Sequence, residues 1–243
     1  MTRKAMLVTG ASSGIGAAVA RMAAADHDLA LHFNRDVDGM EAVADACRAQ
    51  GAAVSVHRAD FADPASVAPL FAAVDAAHGR LDRLVNNAGV VDRASDVAGY
   101  SPERVARMVT INLTAPILVA AEAVRRMGRG AAIVNVSSAA AKHGSPNEYA
   151  DYAATKGGLE VFTKGLAQEV APLGIRVTAV RPGVTATPIH AKGGQPDRAD
   201  RLGAAVPLGR AGTAEEVARA ILWLLSDHAS YVTDAVLDVA GGR

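Results

Sequence analysis

The chain alternates short apolar segments with longer alanine-rich segments, and this alternation constrains its fold more than any other feature. Short apolar runs separated by segments of helical length are typical of βαβ units in a parallel sheet. The runs are nearly continuous in hydrophobicity, which is expected of strands that helices cover on both faces. In the first half the order is Ala5–Thr9, Gly14–Ala25, Leu29–Phe33, Met40–Gln50, Val54–His57, Ala65–Ala77 and Arg83–Asn87.

The second half continues this pattern and marks the beginnings of its helices. Ser101-Pro102, like Asp63-Pro64 before it, places a capping side chain before a proline, and Thr213 with Glu216 fits a capping box. The sequence therefore predicts an α/β fold, with a doubly wound, seven-stranded parallel sheet and helices on both faces. The remaining elements are strands at Ala131–Val136, Ile175–Val180 and Ala235–Val239, and helices at about Ser101–Met127, Tyr149–Ala171 and Ala214–Ser226.

The composition limits the classes of partner. With 243 residues the chain is long enough for one substantial core, and we expect residues 1–243 to form a single domain. Basic and acidic residues number 25 each, so no net charge favours nucleic acid or anionic lipid. Cys47 is the only cysteine, which excludes an internal disulfide and suits a reducing compartment. The histidines, cysteine and acidic residues show no ligand spacing, so no metal is expected.

The N-terminus and the apolar runs point to a cytoplasmic protein. Met1–Lys4 followed by apolar Ala5–Val8 resembles the beginning of a signal peptide, but Thr9-Gly10 interrupts the run, so we interpret it as a buried first strand. The best later run, Ile117–Ala121, ends at Glu122. A membrane helix needs about 20 apolar residues, and none of the runs approaches this length.

A glycine-rich turn follows the first predicted strand and opens the first predicted helix. Its glycines allow the backbone to approach a pyrophosphate, which then meets the free N–H groups and the positive end of the helix. The spacing Gly-x-x-x-Gly-x-Gly differs from the Gly-x-Gly-x-x-Gly fingerprint, and the Gly-Lys-Ser/Thr ending of a triphosphate loop is missing from the sequence. The predicted cofactor-binding residues here are Gly10, Ser12, Ser13, Gly14, Ile15 and Gly16.

Tyr152 and Lys156 stand four residues apart, so on a helix they share one face. Hydride transfer to a carbonyl develops negative charge on oxygen, and an acid must then donate a proton. Lowering the pKa of a tyrosine from about 10 to about 7 takes about 4 kcal/mol. One cation about 4 Å away supplies that much at an effective dielectric of about 20. We therefore predict that Tyr152 is the acid and that Lys156 lowers its pKa.

Two residues near these positions, Tyr149 and Ser137, are rejected as catalytic candidates. Tyr149 has Ala153 rather than a lysine four residues on. Ser137 adjoins Ser138 at a strand end, where alternation places the two side chains on opposite faces.

Taken together, the motifs resemble the short-chain dehydrogenase/reductase family, in its compact single-domain type. The resemblance covers essentially the whole chain, and the C-terminal stretch Ala214–Gly242 resembles the sugar-dehydrogenase and 3-oxoacyl-reductase branches. It implies a Rossmann-type fold that binds NAD(P). The motifs that carry it are Thr9-Gly10-x-x-x-Gly14-x-Gly16, Asn86-Asn87-Ala88-Gly89, Ser138, Tyr152-x-x-x-Lys156 and Pro182-Gly183.

The resemblance also implies a role for each matching position. Ser138 would hold the substrate oxygen, and Asn112 would lie at a helix kink that holds a water of the proton relay. Tyr152 and Lys156 would also contact the nicotinamide side of the cofactor, with Lys156 at its ribose. The other implied cofactor contacts are Asp60 and Phe61 at the adenine, Asn87, Ala88 and Gly89 near a ribose, and Pro182, Gly183, Thr185 and Thr187 at the carboxamide.

The end of the second strand bears on the choice between NADP(H) and NAD(H). An acid there binds the 2′-hydroxyl of NAD, whereas an arginine accommodates the 2′-phosphate of NADP. In register with the family, the acid position falls on Phe33, and Asn34 and Arg35 follow it. Arg35 favours NADP(H), and Asp36 keeps NAD(H) open as the alternative.

Residues 186–212 have no clean periodicity and follow a strand end, so we interpret them as a substrate-binding loop or lid. Lys192, Arg198 and Arg201 in this lid are interpreted as a solvated face, since acidic neighbours nearly cancel their charge. Thr233-Asp234 stands where many relatives have Thr-Gly, which puts the local turn in question.

Three functions are weighed. The first is an NADP(H)-dependent oxidoreductase that interconverts a carbonyl and a secondary alcohol, either on small polyols and sugars or, alternatively, on 3-oxoacyl thioesters. The second is a non-catalytic protein that senses NAD(P). The third is a purely structural module, which does not explain five ordered motifs. The resemblance implies a homotetramer, and neither nucleic acid nor membrane is expected as a partner.

Overall fold

The fold is centred on one parallel sheet whose seven strands lie in the order β3-β2-β1-β4-β5-β6-β7. The computed structural model describes residues 3–243. All six neighbouring pairs of strands are parallel. The prediction of a doubly wound, seven-stranded α/β fold is confirmed. The strands are β1 Lys4–Val8, β2 His27–Phe33, β3 Val54–Arg58, β4 Arg83–Asn86, β5 Ala132–Val136, β6 Arg176–Pro182 and β7 Val236–Val239.

The helices connect these strands and begin where the sequence marks them. Ser101 accepts a hydrogen bond from the Arg104 N–H, and Thr213 with Glu216 forms the predicted capping box. The α-helices are α1 Gly14–Ala23, α2 Val37–Arg48, α3 Val67–His78, α4 Pro102–Val109, α5 Ala115–Val124, α6 Ala140–His143, α7 Ala150–Val170, α8 Ile189–Lys192, α9 Arg198–Gly203 and α10 Ala214–Leu225. The lid therefore contains the two short helices α8 and α9.

The sheet separates two hydrophobic cores, because successive side chains along a strand point to opposite faces. Met6 and Val8 of β1 belong to a core that also contains residues of α1, α2 and α10. Leu7, between them, belongs to the other core, with residues of α3, α5 and α7. Helices thus cover both faces, as the continuous apolar runs predicted.

The predicted long helix Ser101–Met127 differs in detail from the structure. It runs as α4, a π-helical turn at Thr110–Thr114 and α5. The expectation that no stretch approaches membrane length needs correction, because Pro102–Val124 spans 23 residues and its best window has a mean hydropathy of 1.3. Part of this stretch packs into the second core, as a core helix does.

Two smaller expectations have clear outcomes. Cys47 is fully buried on α2, as a small helix residue, and burial raises the pKa of its thiol. Asp234 adopts a left-handed backbone with φ +57°, so the turn keeps the conformation that a glycine would take. The Asp234 carboxylate also accepts a hydrogen bond of 3.2 Å from the Gln168 amide.

Candidate active site

A cavity of about 930 Å³ lies at the carboxyl ends of the parallel strands, where open α/β sheets bind ligands. Apart from Gly16 and Asn112, every residue predicted for cofactor binding or catalysis lines it. The residues that the structure brings together are Gly10, Ser12, Ser13, Gly14, Ile15, Asn34, Arg35, Asp60, Phe61, Asn87, Ala88, Gly89, Ser138, Tyr152, Lys156, Pro182, Gly183, Thr185 and Thr187.

Gly16 packs directly against the backbone of the glycine turn, where no larger residue fits. A Cβ on Gly16 would lie 2.3 Å from the Gly10 carbonyl oxygen, which explains the glycine although Gly16 does not line the cavity. Ser13 begins helix α1, and among the described residues its hydroxyl makes no capping hydrogen bond. Ser13, Gly14 and Ile15 line the cavity, so the first N–H groups of α1 are available there as donors for an anionic group.

Asn87 holds the glycine turn against the end of β4. Its side-chain amide donates to the carbonyls of Thr9, at 2.8 Å, and Gly10, at 3.1 Å. The Thr9 hydroxyl in turn accepts hydrogen bonds from the backbone N–H groups of Asn87 and Ala88. The structure thus gives Asn87 a mostly structural role beside the cavity.

Ser138, Tyr152 and Lys156 meet where β5 ends and α7 begins. The Ser138 oxygen accepts a hydrogen bond from the Ala140 N–H at 3.1 Å, and its hydroxyl is near enough to Tyr152 to influence the pKa of the phenol. Lys156 Nζ donates to the Val136 carbonyl at 2.8 Å and lies 5.7 Å from the centre of the Tyr152 ring. The structure therefore brings the Ser138 hydroxyl, the Tyr152 phenol and the Lys156 ammonium together in one cavity.

Burial sets the protonation of this pair. It raises the pKa of Tyr152 above its ordinary value, and the neighbouring Ser138 hydroxyl only partly opposes this shift. This direction is opposite to the one predicted from the sequence, where the charge of Lys156 was expected to dominate. Burial also lowers the pKa of Lys156 to about 8, because the ammonium leaves water. At neutral pH Tyr152 is therefore a phenol and Lys156 is mostly an ammonium.

Asn112 lies in the π-helical turn between α4 and α5, at the place where the resemblance implies a kink. Its amide forms a two-way clasp with the Val90 backbone: Oδ1 accepts from the N–H and Nδ2 donates to the carbonyl, both at 2.8 Å. A Cβ on Gly89 would lie 3.1 Å from Asn112 Oδ1 and 3.5 Å from Lys156 Nζ. Asn112 therefore contacts the loop beside Lys156 rather than the cavity itself.

The end of β2 contains the residues predicted to contact the adenosine ribose of the cofactor and to select between NADP and NAD. Asp36 begins α2, and its carboxylate accepts a hydrogen bond from the Gly39 N–H at 3.1 Å. The Asn34 amide donates to Asp60 Oδ1 at 3.0 Å, which joins the ends of β2 and β3. Arg58 Nε donates to the Asn34 carbonyl at 2.9 Å, so a second guanidinium lies near this end of the cavity.

The segment after β6 extends towards the lid. Thr185 forms an isolated parallel bridge with Gly212, the last residue of the lid, and is almost fully buried. His190 Nε2 lies 2.9 Å from the Thr185 carbonyl, so this nitrogen carries the proton. These contacts join both ends of the lid to the segment predicted to hold the carboxamide.

The two rejected residues have other contacts. The Ser137 hydroxyl donates to Glu160 Oε1 at 2.6 Å, and Glu160 also accepts two hydrogen bonds from Arg181. The Tyr149 hydroxyl accepts a hydrogen bond of 2.9 Å from the lid residue Gln195. Both therefore serve packing around the site.

The lid contains one clear error of the sequence interpretation. Arg198 is not a solvated residue: its side chain is 12% exposed, pairs with Glu148 at 2.6 Å and stacks over the Tyr149 ring. Lys192 and Arg201 are exposed, as predicted. Glu148 and Tyr149 immediately precede helix α7, and no local pattern connects them with a residue about 50 positions later.

Comparison with known proteins supports the class that the fold and the site define, an NAD(P)-dependent oxidoreductase. A family model described as enoyl-(acyl carrier protein) reductase matches residues 10–243. An uncharacterized oxidoreductase of Escherichia coli K12, YgfF, is 45% identical over 98% of both chains. The 3-oxoacyl-[acyl-carrier-protein] reductase FabG of the same organism is 36% identical over 98% of this chain and 96% of its own.

Comparison with solved structures supports the same class of protein. A short-chain dehydrogenase from Burkholderia cenocepacia, in complex with NADP, has a TM-score of 0.92 and 32% identity, covering 98% of this chain and 97% of its own. The chain belongs to the short-chain dehydrogenase/reductase family.

Proposed function

We propose that the protein interconverts a carbonyl and a secondary alcohol, with NADP(H) as the hydride carrier and Tyr152 as the acid/base. The observation that carries this proposal is the convergence of Ser138, Tyr152 and Lys156 in one cavity with the glycine turn. A nicotinamide bound there supplies or accepts the hydride.

The residues of the site supply the proton and stabilise charge. In the direction of reduction, Ser138 donates a hydrogen bond to the carbonyl oxygen and positions it against the Tyr152 hydroxyl. Tyr152 is protonated at neutral pH, because burial raises its pKa, so it can donate its proton as the oxygen becomes negative. The Lys156 ammonium then stabilises the phenolate, and Asn112 holds the loop beside it through Val90. We also propose that Asn112 holds a water of the proton relay, as the resemblance to the family implies.

Several observations favour NADP(H) over NAD(H). Arg35 lines the cavity at the end of β2, where a 2′-phosphate would lie, and Arg58 is close to it. Asp36, the acid that kept NAD(H) open, has its carboxylate engaged in capping α2. The similar Burkholderia enzyme was solved with NADP.

The lining of the cavity favours an apolar carbonyl compound over a sugar. A polyol needs several hydrogen-bonding partners, whereas an apolar compound suits the apolar part of the lining, which includes Val90, Ile111, Pro146, Val184 and Ile189. The lining also contains polar side chains, among them His143, Ser145 and His190. Two of the polar groups are engaged elsewhere, since Arg198 pairs with Glu148. A 3-oxoacyl thioester is the alternative substrate, and the similarity to FabG favours it.

We further propose that residues 1–243 form one domain in which residues 186–212 act as the substrate lid. The lid contacts the beginning of the catalytic helix through Gln195 and Arg198, so its position is coupled to that of Tyr152. A homotetramer in the cytoplasm without a metal, nucleic acid or membrane partner completes the proposal.

The test is an absorbance assay of NADPH and NADH oxidation with a panel of carbonyl compounds: an acetoacetyl thioester, a cyclic ketone and an aldose. We expect turnover with NADPH to exceed turnover with NADH, and the apolar compounds to exceed the aldose. Equal rates with the two cofactors would contradict the role of Arg35.

Tyr152→Phe separates an enzyme from a non-catalytic sensor. General acid catalysis is worth about 10²–10⁴ in rate, so we expect turnover to fall at least 100-fold while NADPH binds as before. Tyr231→Phe is the matched control, because Tyr231 is fully exposed. Unchanged turnover in Tyr152→Phe would exclude the assigned acid, and NADPH binding without turnover in the unsubstituted protein would favour the sensor.

A further inference from the structure

His32 is a buried histidine of β2 that connects three segments around the cavity. Its ring is 3% exposed. The Gly10 N–H donates to Nδ1 at 3.2 Å, and Nε2 lies 3.1 Å from the Ala59 carbonyl oxygen. One ring face stacks on Phe61, with the centres 4.2 Å apart and the planes 11° from parallel. The imidazole therefore has a defined partner on each polar atom and on one face.

These partners fix one protonation state. A backbone N–H only donates, so Nδ1 must present its lone pair to Gly10. A carbonyl only accepts, so Nε2 must carry the proton for Ala59. His32 is thus the neutral Nε2–H tautomer. A second proton, on Nδ1, would replace the lone pair that accepts from the Gly10 N–H and would repel that N–H. Burial lowers its pKa to about 4, in agreement with this arrangement.

The partners of His32 belong to the segments that would bind the two ends of an adenosine diphosphate. Gly10 begins the turn whose backbone approaches a pyrophosphate. Ala59 directly precedes Asp60 and Phe61, which line the cavity where the adenine is expected. The β2 backbone contributes in parallel, since the Ala11 N–H donates to the His32 carbonyl at 2.8 Å. The side chain adds a link between the turn and the adenine side.

We propose that His32 is a positioning residue for the adenosine-phosphate half of bound NADP(H). Nδ1 orients the pyrophosphate turn through Gly10, and Nε2 with the ring face orients the adenine segment through Ala59 and Phe61. This inference rests on the proposed function, because it requires that the cavity binds a dinucleotide. His32 touches none of the reacting atoms, so its substitution changes cofactor affinity rather than the chemical step.

Three substitutions separate the two hydrogen bonds. The amide oxygen of Asn takes the place of Nδ1, so His32→Asn keeps the acceptor for Gly10 and removes the donor to Ala59. The amide nitrogen of Gln takes the place of Nε2, so His32→Gln keeps the donor and removes the acceptor. His32→Phe removes both bonds and keeps the stack on Phe61. His228→Gln is the control, because His228 is exposed and does not line the cavity.

The affinities of two cofactor fragments, measured by calorimetry, report on the two sides. Adenosine 2′-phosphate probes the adenine side alone, and 2′-phospho-ADP-ribose adds the pyrophosphate. Since one hydrogen bond is worth about a fivefold change in affinity, we expect His32→Gln to weaken the larger fragment about fivefold more than the smaller one, which loses only the stack on Phe61. His32→Asn should weaken both fragments equally, because it alters only the side that they share. His32→Phe should weaken the larger fragment about 25-fold, and kcat at saturating NADPH should stay within about twofold.

A nitrogen-15 spectrum of the unsubstituted protein tests the tautomer without any variant. We expect His32 to show a protonated Nε2 and an unprotonated Nδ1 from pH 8 to pH 5. A protonated Nδ1 overturns the proposal, and so do folded variants that bind both fragments as the unsubstituted protein does. Equal losses of both fragments in all three variants would indicate general loosening and also overturn it. If the unsubstituted protein does not bind 2′-phospho-ADP-ribose, the proposed function fails instead.

Discussion

Burial of Lys156 disfavours the charged form of its side chain. The residue is 3% exposed, and among the described residues its ammonium has one hydrogen-bond partner, the Val136 carbonyl. The lowering of its pKa from 10.5 to about 8 corresponds to about 3 kcal/mol of lost solvation for the charged form. A cost of this size is retained only where the charge has a use, and the phenolate of Tyr152 provides one.

We therefore expect Lys156→Met to stabilise the fold while it abolishes activity. The apolar side chain avoids the loss of solvation but leaves the Val136 carbonyl without its partner, so the net gain is about 1–2 kcal/mol. Urea unfolding at pH 7 measures it, and turnover should fall at least 100-fold. Lys164→Met, on the exposed face of the same helix, should leave both quantities nearly unchanged. A less stable Lys156→Met would show that the ammonium stabilises the fold.

At the scale of elements, the π-helical turn between α4 and α5 serves the site through one side chain. It places the Asn112 amide against both polar groups of the Val90 backbone. Turns of this kind are frequent at functional sites. Here the contact fixes the loop that passes beside Lys156.

Asn112→Leu keeps the volume and removes the clasp. The half-buried N–H and carbonyl of Val90 then lose their partners, so we expect the free energy of unfolding to fall by about 2 kcal/mol. Hydrogen exchange at the Val90 amide should also accelerate, and turnover should fall even at temperatures where the variant is folded. Met108→Leu, which removes the sulfur beside Asn112 but keeps the clasp, should cost less than about 1.5 kcal/mol. Unchanged exchange at Val90 would contradict this role of the clasp.

The elements were predictable from the sequence because their signals are local. Apolar runs, caps and the glycine turn each lie within a few residues, and so do Tyr152 and Lys156. The pairing of Arg198 with Glu148 and the contacts of His32 join residues far apart in the chain, which no periodicity reveals. The direction of the Tyr152 pKa was also missed, since a spacing of four residues does not say how deeply the phenol is buried.

At the scale of the whole molecule, burial lowers the pKa of five of the seven histidines. Their folded pKa values lie below the ordinary 6.5, and that of His32 reaches about 4. Desolvation is the largest cause for each, and the four others are His27, His57, His78 and His190. The fold therefore binds fewer protons than the unfolded chain in mildly acidic solution.

This difference makes the stability of the fold depend on pH well before the carboxylates titrate. A base with a depressed folded pKa contributes stability that is fully present above its unfolded pKa and is lost as pH falls towards its folded pKa. For His32 the window runs from 6.5 down to about 4, with His57 opposing protonation and Asp60 favouring it. Protonation of His32 alone should then lower the free energy of unfolding by about 2 kcal/mol between pH 7 and pH 5.

Urea unfolding at both pH values measures the total loss, and the same pair of measurements on His32→Phe isolates the part due to His32, because a phenylalanine takes up no proton in either state. The loss in that variant should be smaller by about 2 kcal/mol, whatever its stability at pH 7. An equal loss in both proteins would show that the His32 ring accepts a proton in the fold as readily as in the unfolded chain, and would leave its contacts with Gly10 and Ala59 without an energetic role.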